Sequence, residues 1–180
     1  LNLKDSKLNI KIGLRKDSPS INKVQKDNLD FLLIENAVKW ADLISILIPD
    51  KMIPELFNTL ISPHLTENKT LLFSHGYNIH FNKINIAENI NIIMVAPSAG
   101  GNIVRKEYKK NYGVPALLAV HQDYSGKSWE ITKAYAKAIG STKVCAFLST
   151  FKEETETDLF GEQAILTGGL PFMVKSSYNA

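Results

Sequence analysis

Ile90-Asn91-Ile92-Ile93-Met94-Val95-Ala96 is the stretch on which the fold turns. It is apolar apart from Asn91, and no polar residue recurs at every second position. A strand built from it has no wet face, as in a parallel sheet covered by helices on both sides. Leu43–Ile48, Thr70–Phe73 and Val114–Val120 are runs of the same kind. Leu8-Asn9-Ile10-Lys11-Ile12 differs, alternating with period 2 like a half-buried strand. Between the runs, Ile34, Ala37, Val38 and Ala41 fall at i, i+3, i+4 and i+7. Ile53, Leu56, Phe57 and Leu60 repeat that spacing, as do Ile131, Ala134, Tyr135 and Ala138. Gly140 follows the last set, where a helix-ending glycine belongs. Strands alternating with helices predict an α/β fold with a Rossmann-type doubly wound parallel sheet. After about residue 150 the pattern becomes one long helical segment without a further strand, which predicts a unit over 1–149 and the start of a second, all-helical one over 150–180.

In such sheets ligands bind outside the carboxyl ends of the strands. Gly13–Ser20, Pro49-Asp50, Ser74–His80, Pro97–Asn102 and His121-Gln122-Asp123 are therefore the segments to inspect. After the first strand, Arg15, Ser18 and Ser20 offer a guanidinium and two hydroxyls where a dinucleotide fold meets the adenosine ribose. That set suits the 2′-phosphate of NADP; the alternative is a basic turn with Ser18 or Ser20 capping the next helix. His75 follows an apolar strand, beside Gly76, and imidazole moves protons near neutral pH; the alternative is a histidine bonded to a loop carbonyl. His80 and His64 read as structural and surface residues. Ala96–Asn102, with Gly100-Gly101 ahead of a helix candidate, is a turn at which a pyrophosphate or ribose can approach, although Gly-Gly marks any tight strand-to-helix turn.

Glu153–Glu162, EETETDLFGE, sets Asp158 and Glu162 four residues apart. On an α-helix such residues lie on one face, about 5–6 Å apart. The acids of the first turn suit the positive helix end, whereas Asp158 and Glu162 come later and repel each other unless a proton or cation intervenes. Mg²⁺ fits, because it takes one or two carboxylates and keeps waters for substrate to displace. The plain alternative is a solvated helix face.

The chain has 180 residues, 44% hydrophobic and 22% charged, enough for one domain and part of another. A net charge of +3 with scattered lysines points to neither nucleic acid nor an anionic membrane, and no apolar span of membrane length or signal peptide is present. The lone Cys145, in the run Val144–Phe147, reads as a buried inert thiol and fits a reducing compartment.

These features resemble one family. Leu1–Asp5 (LNLKD), Gly13–Ser18 (GLRKDS), Leu71–Phe81 (LLFSHGYNIHF), Met94–Pro97 (MVAP), Tyr112–Asp123 (YGVPALLAVHQD) and above all Thr150–Gln163 (TFKEETETDLFGEQ) are similar to ketol-acid reductoisomerases of the short form. The resemblance implies a Rossmann domain followed by a knotted helical domain, in a cytoplasmic homo-oligomer. It implies NADPH and two Mg²⁺ ions as cofactors. Arg15, Ser18 and Ser20 would hold the 2′-phosphate, Asp50, Lys51, Met52, Ile53 and Gly101 would line the cofactor, and His75 would be the catalytic histidine. Asp158 and Glu162 would ligate Mg²⁺, with Asp158 bridging the ions. The implied reaction is alkyl migration in 2-acetolactate or 2-aceto-2-hydroxybutyrate followed by NADPH reduction, a step towards valine, leucine and isoleucine. The implied glycine-rich pyrophosphate turn is expected upstream of Leu1, and the remaining metal ligands and a substrate-binding serine are expected beyond Ala180. The 180 residues alone are therefore expected to be inactive.

Two positions depart from the family. Ser98 stands where it commonly has an active-site lysine, and Asp17 where it commonly has glycine, beside the expected 2′-phosphate site. Ser98 keeps open a second reading, an NADP-binding protein of the same fold with a decayed active site. A third is another Rossmann enzyme such as a β-hydroxyacid dehydrogenase, which needs no metal carboxylates.

Overall fold

A computed structural model of the chain describes residues 1–179. It begins with one helical turn, α1 (Asn2–Asp5), followed by β1 (Ile12–Leu14), α2 (Ile21–Lys26), β2 (Phe31–Leu33) and α3 (Ile34–Trp40). Then come β3 (Leu43–Ile46), a 3₁₀ turn at Asp50–Met52, α4 (Ile53–Leu56), which widens into a π-helical turn at Phe57–Ile61, and β4 (Thr70–Phe73). α5 (Tyr77–His80), β5 (Asn91–Pro97), α6 (Gly101–Lys109), β6 (Ala116–Gln122), α7 (Ser128–Ile139) and β7 (Ala146–Leu148) follow. The last part is helical throughout, with α8 (Phe151–Phe160), a π-helical stretch at Gly161–Gly169 and α9 (Leu170–Asn179). No helix among the described residues is long and apolar enough to cross a membrane.

Five strands pair in the order β3-β4-β5-β6-β7, while β1 and β2 form a separate parallel pair. The continuous apolar runs have a plain structural cause. Leu71, Phe73, Ile92, Met94 and Ala96 enter one buried cluster with Val38, Ile46 and Phe57. Their alternates Leu72, Ile93 and Val95 enter a second cluster with Leu118, Ala136 and Ile139. Successive side chains of a strand point to opposite faces, so a sheet covered on both sides needs apolar residues at every position. Each fully buried Leu, Ile or Phe contributes about 1.5–3 kcal/mol. At its end α7 stops as its sequence predicts, with Gly140 left-handed at φ 98°.

The expected α/β sheet is present and parallel-dominated, and the structure corrects four details. The run Val114–Val120, expected among the parallel strands, forms β6, which runs antiparallel to β5. After α6 the chain returns to the end where β5 finishes, and Ser98 N donates to Pro115 O at 2.9 Å. β6 thus starts beside the end of β5 and must run the other way. His121–Asp123 consequently lie at the opposite end of the sheet from the ligand-binding ends, with Gln122 paired to Ile92 and its side chain donating to Ala87 O and Ile90 O. The alternating run Leu8–Ile12 forms a strand only from Ile12 onwards. Cys145 is partly rather than fully buried.

Candidate functional site

The carboxyl ends of β4 and β5 open into a cleft of about 930 Å³ whose lining includes Ser74, His75, Ser98, Gly101, Glu154 and Asp158. His75 follows β4 directly and is held from across the cleft by α8. Thr150 starts that helix, its hydroxyl accepting from Glu153 N at 3.0 Å, and the acids of the first turn suit the helix dipole. One turn in, Glu154 turns inward with only 5% of its side chain exposed. Its Oε1 lies 2.9 Å from His75 Nδ1, and its Oε2 accepts from Gly76 N at 2.8 Å. Asp158, one turn further along, brings Oδ2 to 3.5 Å from the same Nδ1 and remains 57% exposed.

Gly76 is required by this packing. A Cβ at that position would sit 2.5 Å from Thr155 Oγ1 and 2.6 Å from Phe151 O. The loop and α8 therefore meet backbone to backbone, and Phe151 packs edge-on to Phe73, their ring centroids 6.3 Å apart.

The electrostatics follow from the geometry. The hydrogen bond to Glu154 raises the His75 pKa above the ordinary imidazole value; burial opposes this, and the charges of Glu154, Asp50 and Asp158 reinforce it. Asp158 is raised as well, chiefly because its partly covered carboxyl loses some hydration at the cleft; the His75 charge opposes this, while Glu154, Glu162 and Asp50 add to it. A raised folded-state pKa means that the stabilisation from protonated His75 is complete below the ordinary imidazole pKa and is lost as pH rises through the raised value. In metal-free buffer this contribution is expected to lower the melting temperature as pH rises from the ordinary imidazole pKa through the raised value. The slope should flatten in His75→Gln, and an unchanged slope on thermal scans would remove His75 as its source.

The remaining sequence-predicted residues fall into two groups. Asp50 lies close enough to act on His75 and Asp158, and Asn78 Nδ2 donates to both its backbone oxygen (3.2 Å) and Oδ1 (3.1 Å). Gly101 opens α6 at the cleft with nothing within 4 Å of where a Cβ would be. Lys51 and Met52 are exposed in the 3₁₀ turn, whereas Ile53 is buried core, so any part it takes in a site is through its backbone. Arg15, Ser18 and Ser20 lie in the turn after β1, where Ser18 N donates to Arg15 O at 3.1 Å and Ser20 N to Ser18 Oγ at 3.3 Å. Ser20 precedes α2 without its side chain capping it. Glu162 falls in the π-helical stretch and is exposed; its charge reaches Asp158, but it is not among the three residues whose ligand atoms cluster, His75, Glu154 and Asp158. His80 Nε2 lies 3.3 Å from Glu156, away from this cluster.

Sequence reasoning missed Glu154, because an acid in a first helical turn is already explained by the dipole. The signal was the four-residue step Glu154–Asp158, the same spacing that drew attention to Asp158 and Glu162.

Residues 1–145 match the family model for the acetohydroxy acid isomeroreductase NADPH-binding domain, and residues 151–180 match that for the ketol-acid reductoisomerase C-terminal domain. The chain belongs to the ketol-acid reductoisomerase family. It is 51% identical over 178 residues to the ketol-acid reductoisomerase (NADP(+)) of Methanocaldococcus jannaschii, covering 99% of this chain and 54% of the relative. The ketol-acid reductoisomerase (NADP(+)) of Petrotoga mobilis is 49% identical, with 98% and 54% covered. The structure of an NADH-preferring ketol-acid reductoisomerase from an uncultured archaeon superposes with a TM-score of 0.93 at 40% identity, over 99% of this chain and 55% of that one. The chain thus spans about half the length of the ketol-acid reductoisomerases it matches. A semialdehyde dehydrogenase NAD-binding protein from Cupriavidus necator shares the fold, with a TM-score of 0.76 at 15% identity.

Proposed function

We propose that the full-length protein is a Mg²⁺-dependent ketol-acid reductoisomerase, acting on 2-acetolactate and 2-aceto-2-hydroxybutyrate with NADPH in branched-chain amino-acid biosynthesis. Family membership supports this reading, and the observation that carries it is the His75–Glu154–Asp158 constellation at the strand-end cleft. We take 1–149 as the NADP-binding unit and 150–180 as the start of the helical one, in keeping with the two matched segments.

The donor set fits a hard divalent ion. Asp158 offers carboxylate oxygens at the cleft, and the neighbouring charges of Glu154, Glu162 and Asp50 disfavour its ionisation unless a cation compensates them. Asp158 and Glu162 would hold the Mg²⁺ ions. When bound, Mg²⁺ supplies Lewis-acid polarisation of the substrate's neighbouring oxygens. The chain's own residues supply the rest. Glu154 fixes the His75 ring through Nδ1, so that Nε2 is left to give or take a proton at a substrate oxygen. Gly101 and the backbone N–H groups at the start of α6 suit an anionic part of the cofactor. Arg15, Ser18 and Ser20 offer a guanidinium fork and hydroxyls to the 2′-phosphate, opposed by the nearby Asp17 carboxylate.

Among the described residues, Phe160, Leu166 and Phe172 leave apolar surface exposed along the final helical part. That surface is available to the rest of the full-length protein or to a second copy of it, and we take the full protein to be a homo-oligomer, as the family resemblance implies.

The test is NADPH consumption with 2-acetolactate by the full-length protein, titrated with Mg²⁺. Asp158→Asn is expected to lower Mg²⁺-dependent turnover at least about a hundredfold. Tight NADPH binding by the wild type without turnover would instead select the non-catalytic reading that Ser98 suggests. Turnover of a substrate that needs no divalent ion would point to another dehydrogenase of this fold.

A further inference from the structure

His75, Glu154 and Asp158 bring one imidazole nitrogen and two carboxylate oxygens within 4.8 Å of one another. Nδ1 of His75 lies 2.9 Å from Glu154 Oε1 and 3.5 Å from Asp158 Oδ2. Ligands bound about 2.1 Å from one ion sit about 3.0 Å apart in adjacent octahedral positions and about 3.4 Å apart in a tetrahedron. The observed 2.9 and 3.5 Å are close to what a single ion of either geometry requires, with all three donor atoms within 4.8 Å of one another. This donor set also differs from the all-oxygen shell that Mg²⁺ prefers. One nitrogen with two carboxylates suits a borderline ion, and three protein ligands leave a fourth position open to water.

The surroundings pre-form the set. Gly76 N holds Glu154 through Oε2, which leaves Oε1 aimed at the imidazole. Glu154 is buried and cannot swing away, while the half-exposed Asp158 leaves the cluster open to the cleft. Nδ1 makes its hydrogen bond to Glu154 Oε1 with Asp158 Oδ2 3.5 Å away, and an ion seated among the three would take the place of that bond.

We propose that the full-length protein binds one Zn²⁺ per chain at His75 Nδ1, Glu154 and Asp158; an imidazolium loses its Nδ1 proton to solvent, and a neutral ring binds as the Nε2–H tautomer. Binding stands on the geometry alone. Its consequence rests on the reading of Asp158 as a Mg²⁺ ligand: zinc on Asp158 denies that carboxylate to Mg²⁺ and immobilises His75, so zinc inhibits Mg²⁺-dependent turnover. Affinity for such donors is greater for zinc than for earlier divalent ions, and inhibition is expected at zinc levels at least about a hundredfold below the Mg²⁺ present.

The experiment uses full-length protein stripped of metal, titrated with Zn²⁺ by calorimetry in two buffers and examined zinc-loaded by X-ray absorption. Expected results are one site per chain, net proton release that shrinks as pH rises, and one imidazole nitrogen at about 2.0 Å from zinc. His75→Gln and Glu154→Gln should each weaken zinc binding at least tenfold, about 1.4 kcal/mol, while Glu162→Gln should leave it within about threefold. If His75→Gln fails to fold, Glu154→Gln, which keeps the side-chain shape, serves in its place. An all-oxygen zinc shell overturns the proposal, as does zinc binding that survives His75→Gln but is lost in Glu162→Gln. Zinc seated on His75 without inhibiting turnover would uphold the site and reject the Mg²⁺ role of Asp158.

Discussion

Gly76→Ala is expected to lower the stability of the full-length protein by about 3 kcal/mol, the upper end of overpacking costs. For a protein about twice the length of this chain, as its relatives are, that corresponds to a melting temperature about 4 °C lower. The cause is purely steric. Gly76 has an ordinary φ of −82°, so alanine suffers no conformational strain there, but its Cβ would overlap the buried Thr155 hydroxyl and the Phe151 carbonyl. Neither can give way: Thr155 Oγ1 donates to Phe151 O at 2.7 Å inside the first turn of α8. The helix must back off, taking Glu154 away from His75, and turnover should fall with stability. Gly101→Ala is the matched control, since nothing lies within 4 Å of the added methyl, and it should melt within about 2 °C of the wild type. Equal melting temperatures for Gly76→Ala and wild type would show that the loop and α8 do not meet this closely.

The second large effect is expected for Glu154→Gln. Glu154 accepts through each oxygen from a different donor, His75 Nδ1–H and Gly76 N–H. A glutamine has one acceptor oxygen and an NH₂ donor, so either a donor faces another donor in a buried site or His75 must switch to the Nε2–H tautomer and accept from the new NH₂. Turnover is expected to fall about 10²- to 10³-fold, the scale of a misplaced proton-transfer group, while the affinity for NADPH stays within about twofold. The His75 pKa, released from its largest raising influence, should drop. The acidic limb of the pH–rate profile should therefore move to lower pH, a change that loss of packing alone would not cause. An unshifted limb with a large drop in rate would make Glu154 a packing residue rather than one that positions His75.

Much of the fold was legible because burial on both faces leaves a mark in composition. Leu71, Leu72 and Phe73 had to be apolar together, since adjacent residues feed different cores. Direction leaves no such mark, and an apolar run such as Val114–Val120 reads the same in either sense, so the reversal of β6 was hidden. The three-residue strands β2 and β7 are too short to show a period. At the site, the strand-end rule placed His75 and Gly101 at the cleft, and helical spacing singled out Asp158. Glu162 lies beyond Phe160, where α-helical bonding ends, so its four-residue step from Asp158 does not carry the α-helical separation. Contacts such as Arg105 Nη1 with Asp5 Oδ2, one hundred positions apart, have no local signature at all.

The bridge from Glu154 to Gly76 and His75 also constrains how such a protein can be inherited or recombined. A crossover between 149 and 150 looks natural by domain logic, yet it would split a carboxylate from the imidazole and the backbone amide that it serves. Chimeras joined there should work only when both parents supply glutamate on one side and the glycine on the other, so these two halves behave as a single heritable unit.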